Sequence, residues 1–278
     1  MSGKPQNTAD ATDRLLCCME ASGQWMASNR LKLNPMKTDL LWCATRWRQH
    51  QLNRSSLVFG GATVQPSSTV RDLGIILDCE MSFRSYINQL VSRCFYQLRC
   101  VKSCVKALST DVARTVVNSF VIARTDYCNC LLAEALPYRL NRLQAVMNSA
   151  GRLISGLNKF DRISRVLRDR FHWLPVPQRI QYKLCLLVYK ALRGLAPWYL
   201  ADFCQPVSSV SARSGLRSST RGDLVVVSTA TDCGRRCFAV SAPLAWNRVP
   251  PQIIYIRNNQ SLESFKSQFK THLFNCID

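Results

Sequence analysis

Residues 171–193, FHWLPVPQRIQYKLCLLVYKALR, constrain the fold of this chain more than any other stretch. Pro175 and Pro177 suit a lead-in turn and the first turn of a helix, where a missing N–H leaves no bond unmade. The spacing therefore predicts a helix from about Gln178 onward. At ~100° per residue, Ile180, Leu184, Leu187, Val188 and Ala191 share one face. Arg179, Lys183, Lys190 and Arg193 gather on the opposite face, with Tyr182 and Tyr189 along one border. The apolar face requires a core. The basic face can meet phosphates, with rings in reach of bases or sugars. A solvated charged face with lysine stems lying along apolar surface accounts for the same pattern.

Charge bears on that choice. The 278 residues include 37 Lys and Arg against 17 Asp and Glu, a net charge of +20. The surplus is uneven: residues 84–221 hold 22 basic and 6 acidic side chains, whereas the first 83 are nearly balanced. A basic excess concentrated in one region points to a polyanionic partner, most simply nucleic acid, with an anionic membrane surface as the rival. No apolar run reaches the roughly 18 residues of a spanning helix. The opening MSGKPQNTAD has no apolar signal core. The expected setting is intracellular, nuclear or cytoplasmic, not secreted.

Fourteen cysteines are many, but most fall inside apolar helical patterns, Cys94 and Cys185 at core-type positions. No CxxC occurs, and the nearest spacings are Cys100-x3-Cys104, Cys128-x-Cys130 and Cys233-x3-Cys237, with only His50, His172 and His272 to assist. Paired zinc spacing is missing, so reduced buried thiols are expected.

Hydrophobic periodicity sets out the remaining elements. Residues 10–29 read as a helix ended by Asn34-Pro35, residues 37–43 as a strand and 46–54 as a loop. Residues 57–65 read as a hairpin about Gly60-Gly61, and residues 70–77 as one further strand. From Ser82 the pattern becomes helical. Ile87, Leu90, Val91, Cys94, Leu98, Val101 and Val105 form a long stripe, decorated by Arg84, Arg93, Arg99, Lys102 and Lys106. Ser109 suits a helix cap, and a further helix follows Pro137. Residues 161–170 read as a short Arg-rich helix. Residues 205–223, rich in Ser and Arg, read as an exposed linker or mobile basic loop, and 224–227 as a short strand. Residues 237–246 suit a helix despite Pro243, and Ser261 with Glu263 opens the last one. The expected class is α+β, mostly α. A small α/β hairpin segment over 1–80 precedes a basic helical bundle over 81–204, and a less regular region covers 205–278.

Catalytic chemistry is scarce. Nucleotidyl transfer needs carboxylates close enough to share two metal ions, and there is no adjacent Asp pair. Asp72 and Asp78, six positions apart around one predicted strand, suit turn and capping roles better than metal ligation. No GxxxxGK loop is present. His172 beside Trp173 reads as a packed pair rather than a base.

Several motifs nevertheless keep a recognisable order. Trp25-Met26-x2-Asn29-x-Leu31-Lys32-Leu33-Asn34-x2-Lys37-Thr38 resembles the late palm of non-LTR (LINE-type) retrotransposon reverse transcriptases. Val70-x-Asp72-Leu73-Gly74-Ile75-x2-Asp78 resembles the hairpin that grips the primer. Asp126-Tyr127-Cys128-Asn129, Leu143-Gln144-x-Val146-x-Asn148-x-Ala150-x-Arg152-Leu153 and His172-Trp173-Leu174-Pro175-Val176 resemble the helical region beyond the palm in Jockey-related elements. Cys237-Phe238-x4-Pro243-x2-Trp246-Asn247-x2-Pro250 and Phe265-Lys266-x3-Lys270-Thr271-x-Leu273-Phe274 resemble their tail.

The resemblance implies an RNA-directed DNA polymerase whose fingers, early palm and magnesium-binding aspartate pair would lie before Met1. Magnesium would belong to that palm, leaving no cofactor for this chain. The implied role is to hold RNA or an RNA–DNA hybrid without forming the new bond. Primer contact would fall on Asp72, Leu73, Gly74 and Ile75. Backbone contact would fall on the thumb-like helices through Arg93, Arg99, Lys102 and Lys106. The helical-face argument adds Arg179, Tyr182, Lys183, Tyr189, Lys190 and Arg193. The alternative is a non-functional fragment or helical scaffold with only non-specific polyanion binding.

Overall fold

The computed structural model describes residues 8–52, 54–213, 215–250 and 261–276. Helices predominate, joined by two separate two-stranded antiparallel sheets, which is the α+β, mostly α class the periodicities predict. The chain forms two compact units, residues 1–86 and 87–278.

In the first unit, α1 (Thr8–Ser28) ends in a left-handed residue, Arg30 at φ 58°. Arg30 N–H donates to Ala27 O and Leu31 N–H to Met26 O, the paired bonds that close a helix C-terminus. β1 (Leu57–Phe59) and β2 (Ala62–Val64) pair with Leu57 opposite Val64, and Gly60 and Gly61 take the positive φ of the tight turn. The reading of residues 70–77 as one strand is corrected. They form a second hairpin, β3 (Thr69–Asp72) with β4 (Ile75–Asp78), turning at Leu73 and Gly74 with φ of 45° and 86°. Residues 37–43 are not a strand either: the 3-10 turn Pro35–Lys37 takes up their start, and beyond it they make only an isolated bridge, Leu40 to Pro66. Residues 46–54 contain a 3-10 turn, Arg46–Gln51, whose Gln49 carboxamide donates to Ala44 O at 2.9 Å and Cys79 O at 2.7 Å. The small core is Leu40, Leu57 and Val64, with Leu15 and Trp42 against it.

The second unit takes up α2 (Arg84–Cys104) from its fourth residue on. α3 (Thr110–Val117) starts under the Ser109 cap and runs through a π-helical turn, Asn118–Ile122, into α4 (Ala123–Asp126). α5 (Pro137–Ser155) and α6 (Val176–Leu192) both begin with proline in the first turn. α7 (Trp198–Ala201), α8 (Arg217–Thr220), α9 (Asp232–Arg236), α10 (Phe238–Asn247) and α11 (Leu262–Asn275) follow. The stretch that opened the sequence reading becomes the centre: α6 packs against α5, α7, α10 and α11. Cys94 and Cys185 are fully buried, as the helical rhythm predicts.

Four further expectations change. Residues 161–170 form a π-helical turn, Val166–Arg170, in place of a regular short helix. His172 is exposed and left-handed at φ 51°, while Trp173 is buried, so the two do not pack as a pair. The described residues of 205–223 are folded rather than a linker. Pro206 bridges Leu224, Val207 N–H donates to Asp223 O at 2.9 Å, and Val225 N–H donates to Gln205 O at 2.8 Å. The Asn247 carboxamide holds Leu224 by both backbone groups at 2.9 Å. That bridge is all the strand that residues 224–227 make. Region 205–250 therefore shares the core of residues 87–204, through Val240, Ala245 and Trp246 on α10 against α6.

Candidate nucleic-acid interface

α2 has no Asp or Glu in its 21 residues. Ile87, Leu90, Val91, Cys94, Leu98 and Val101 turn one side of it to the core. The remaining arc carries Arg93, Arg99 and Lys102, and the 3-10 turn Val105–Ala107 extends it with Lys106. All four are exposed, and none has a side-chain hydrogen bond or ion pair among the described residues. Lys102 also suits the negative end of the helix dipole. Tyr96, three residues from Arg93 and three from Arg99, shares this arc and is 56% exposed. In helical phase it stands between Arg93 and Arg99 and adds an exposed flat ring to the arc. Helical phase relative to Arg93 and Arg99 is the sequence signal that places Tyr96 on this arc, and a count of cations does not carry it.

The α6 face is different, and here the sequence reading is corrected. Arg179 Nη1 donates to Asp126 Oδ2 at 2.5 Å, and Arg179 Nε donates to Leu174 O at 2.8 Å. Lys183 Nζ donates to the Asp126 carbonyl oxygen at 2.7 Å. Asp126 closes α4, so Lys183 satisfies a carbonyl that the helix end leaves without an N–H partner. Both cations are engaged inside the protein. The aromatic border is covered too. Tyr189 is buried and stacks on Phe265 at 4.3 Å between ring centres, and Tyr182 stacks on Phe269 at 6.0 Å. α11 thus covers the rings that the isolated helix offered to bases. Lys190 is half-buried, and exposed Arg193 lies 5.3 Å over the Tyr189 ring.

The hairpin tip is split. Asp72, Leu73 and Gly74 are exposed, Leu73 to 82%, whereas Ile75 is buried. Asp72 stands opposite Ile75 at the turn and Asp78 opposite Thr69 at the far end, so the two carboxylates lie at opposite ends of the hairpin. Asp78 accepts from Ser82 N–H at 2.8 Å, Glu80 N–H at 3.2 Å and Ser82 Oγ at 3.1 Å, a capping role. Among the described residues no group of three His, Cys, Asp or Glu is placed to hold a metal ion. Among the described residues the donor set for magnesium does not fit here.

The expectation of buried thiols is corrected: Cys94, Cys185 and Cys204 are buried, whereas eight of the fourteen cysteines are exposed, because the helices that carry most of them turn those positions outward. Burial pushes Cys94, Cys130 and Cys204 up to about 11, so each stays a protonated, weakly nucleophilic group. A second basic stretch that the sequence reading did not treat as a site is exposed at Arg162 and Arg165, ahead of the π-helical turn.

No known protein family, characterised protein or solved structure matches this chain. Among the described residues no helix is long and apolar enough to cross a membrane.

Proposed function

We propose that this chain is the strand-holding part of a non-LTR retrotransposon reverse transcriptase, gripping RNA or an RNA–DNA hybrid by its backbone and taking no part in bond formation. Support comes from the motif order along the sequence and from the α2 face. That face carries the reading. Four exposed cations with no acid on their helix form an electrostatic footprint for phosphates. Tyr96 adds a platform on which a base can stack without regard to its identity.

A filter-binding titration of the full chain with a labelled RNA–DNA hybrid at two salt concentrations tests it. Affinity that falls steeply with salt, and falls less steeply when Arg93, Arg99 and Lys102 are changed to Glu, supports the reading. Equal and negligible retention at both salts rejects it.

A second reading, a helical scaffold for protein partners, is favoured by Leu195, Trp198, Tyr199 and Phe203, which are all exposed, Trp198 to 76%. A variant with Trp198→Ser and Phe203→Ser separates the two. Under the scaffold reading it alters sedimentation of the chain and leaves hybrid retention as it was.

A further inference from the structure

We propose that a cavity at the start of α6 receives one unstacked nucleobase. The proposal takes the nucleic-acid reading as the source of the base, while the cavity stands on its own lining.

The cavity measures about 330 Å³ and lies between α5, residues 164–168 and the first turn of α6. This is at the lower end of the roughly 300–1,000 Å³ of small-molecule sites. Leu167, Leu140, Pro175 and Pro177 give it apolar walls, and the Trp173 indole is the flat ring among them that suits a planar ligand. Its polar groups are mainly carboxamides. Asn141, Gln144 and Asn148 come from one face of α5, and Gln178 comes from α6. No carboxylate lines it, which disfavours a cationic ligand.

The carboxamides are ordered. Gln144 Oε1 accepts from Val176 N–H at 2.9 Å, and Gln144 Nε2 donates to Asn148 Oδ1 at 2.9 Å. The Asn148 NH2 and the Asn141 side chain are left with no partner among the described residues. The buried Gln178 carbonyl oxygen has no donor among the described residues. A carboxamide holds a donor and an acceptor in one plane, the same arrangement that the edge of a nucleobase presents. Arg168, half-exposed on the lining and paired with Asp169 at 3.1 Å, adds a cation for the attached phosphate.

The far wall is shaped by backbone departures. The π-helical turn Val166–Arg170 places Leu167 and Arg168 together on the lining. Left-handed His172 turns the chain so that Trp173 N–H donates to Leu167 O at 2.8 Å and its indole joins the wall.

The test uses the full chain and three probes at fixed salt: a short single-stranded RNA, the same backbone with abasic residues, and free adenosine and cytidine. The expected result is about tenfold tighter binding of the intact strand than of the abasic one. Gln178→Leu, which removes an amide whose buried oxygen has no donor among the described residues, and Ser164→Trp, which adds bulk at the lining, each bring that ratio near one with melting temperature and salt slope unchanged. Changing the α2 cations lowers the salt slope and keeps the ratio, so failure of the two proposals is separable. Saturable binding of a free nucleoside, lost in Gln178→Leu, supports the same chemistry with a free nucleotide as its source. A ratio near one in the unmodified protein together with no nucleoside binding overturns the proposal.

Discussion

Arg179 and Asp126, 53 residues apart in sequence, meet at 2.5 Å between Nη1 and Oδ2. Arg179 is 15% exposed and Asp126 36%. This contact converts the most conspicuous basic stripe in the sequence into an internal fastening between α6 and the end of α4. It leaves the α2 arc as an open cationic surface, with Arg162 and Arg165 exposed elsewhere. A charge-assisted hydrogen bond of this kind contributes about 1.5–3 kcal/mol. Arg179→Ala is accordingly expected to cost about 2 kcal/mol in chemical denaturation. Retention of RNA by the folded variant should match that of the unmodified chain. A loss of binding at full stability would return Arg179 to the interface.

The rings of Tyr182 and Tyr189 are held by α11 through Phe269 and Phe265. Removing a buried Phe costs about 3–5 kcal/mol, and a stacked pair adds about 0.5–1.5 kcal/mol beyond area burial. Phe265→Ala should therefore destabilise by about 4 kcal/mol. A double-mutant cycle with Tyr189→Ala should show coupling of about 1 kcal/mol. Unfolding curves measure both quantities, and additive effects would deny the stack.

Leu73 occupies a left-handed turn position, where an L residue other than Gly, Asn or Asp costs roughly 1–2 kcal/mol. Leu73→Asn should raise the melting midpoint by the equivalent of about 1 kcal/mol. If the tip also touches a primer strand, the same change weakens hybrid binding, a trade of stability against function. Thermal melts and hybrid titrations on one preparation read both.

Burial lowers the His272 pKa from its usual 6.5, so the folded state favours the neutral ring. The unfolded chain then binds more protons as pH falls through 6.5, and stability drops across that window until the folded ring titrates as well. His272 stacks on Phe269, and Cys276 Sγ lies 3.4 Å from its Nε2. His272→Gln should flatten the stability curve below about pH 6.5. Denaturation midpoints measured over that range check the direction.

Local signals carried much of the fold. Ser109 and Ser261 cap helices where their sequence positions predict. Gly60-Gly61 marks its turn, and the apolar rhythm of α2, α5 and α6 finds the buried faces. The misses are non-local. Leu73-Gly74 lacks the usual turn residues at its first position, so the β3–β4 hairpin reads as one strand. Residues 205–223 are polar enough to read as a linker, yet Asn247 and Trp246 hold their neighbourhood from more than 20 residues away, with Trp246 Nε1 donating to Gly222 O at 3.3 Å. Helical phase placed Arg179 and Lys183 on a solvent-like face, and nothing local to α6 announces that Asp126 meets them. Several motif residues, Asp126, Gln144 and Asn247 among them, hold backbone or charge inside the second unit.

The most direct measurement is the slope of log affinity against log salt for an RNA–DNA hybrid, compared between the unmodified chain and the variant with Arg93, Arg99 and Lys102 changed to Glu. Three lost phosphate contacts should make the slope shallower by about 2–3, at ~0.7–0.9 for each contact. Equal slopes for the two proteins would contradict the account, because the α2 cations would then make no contact with the strand.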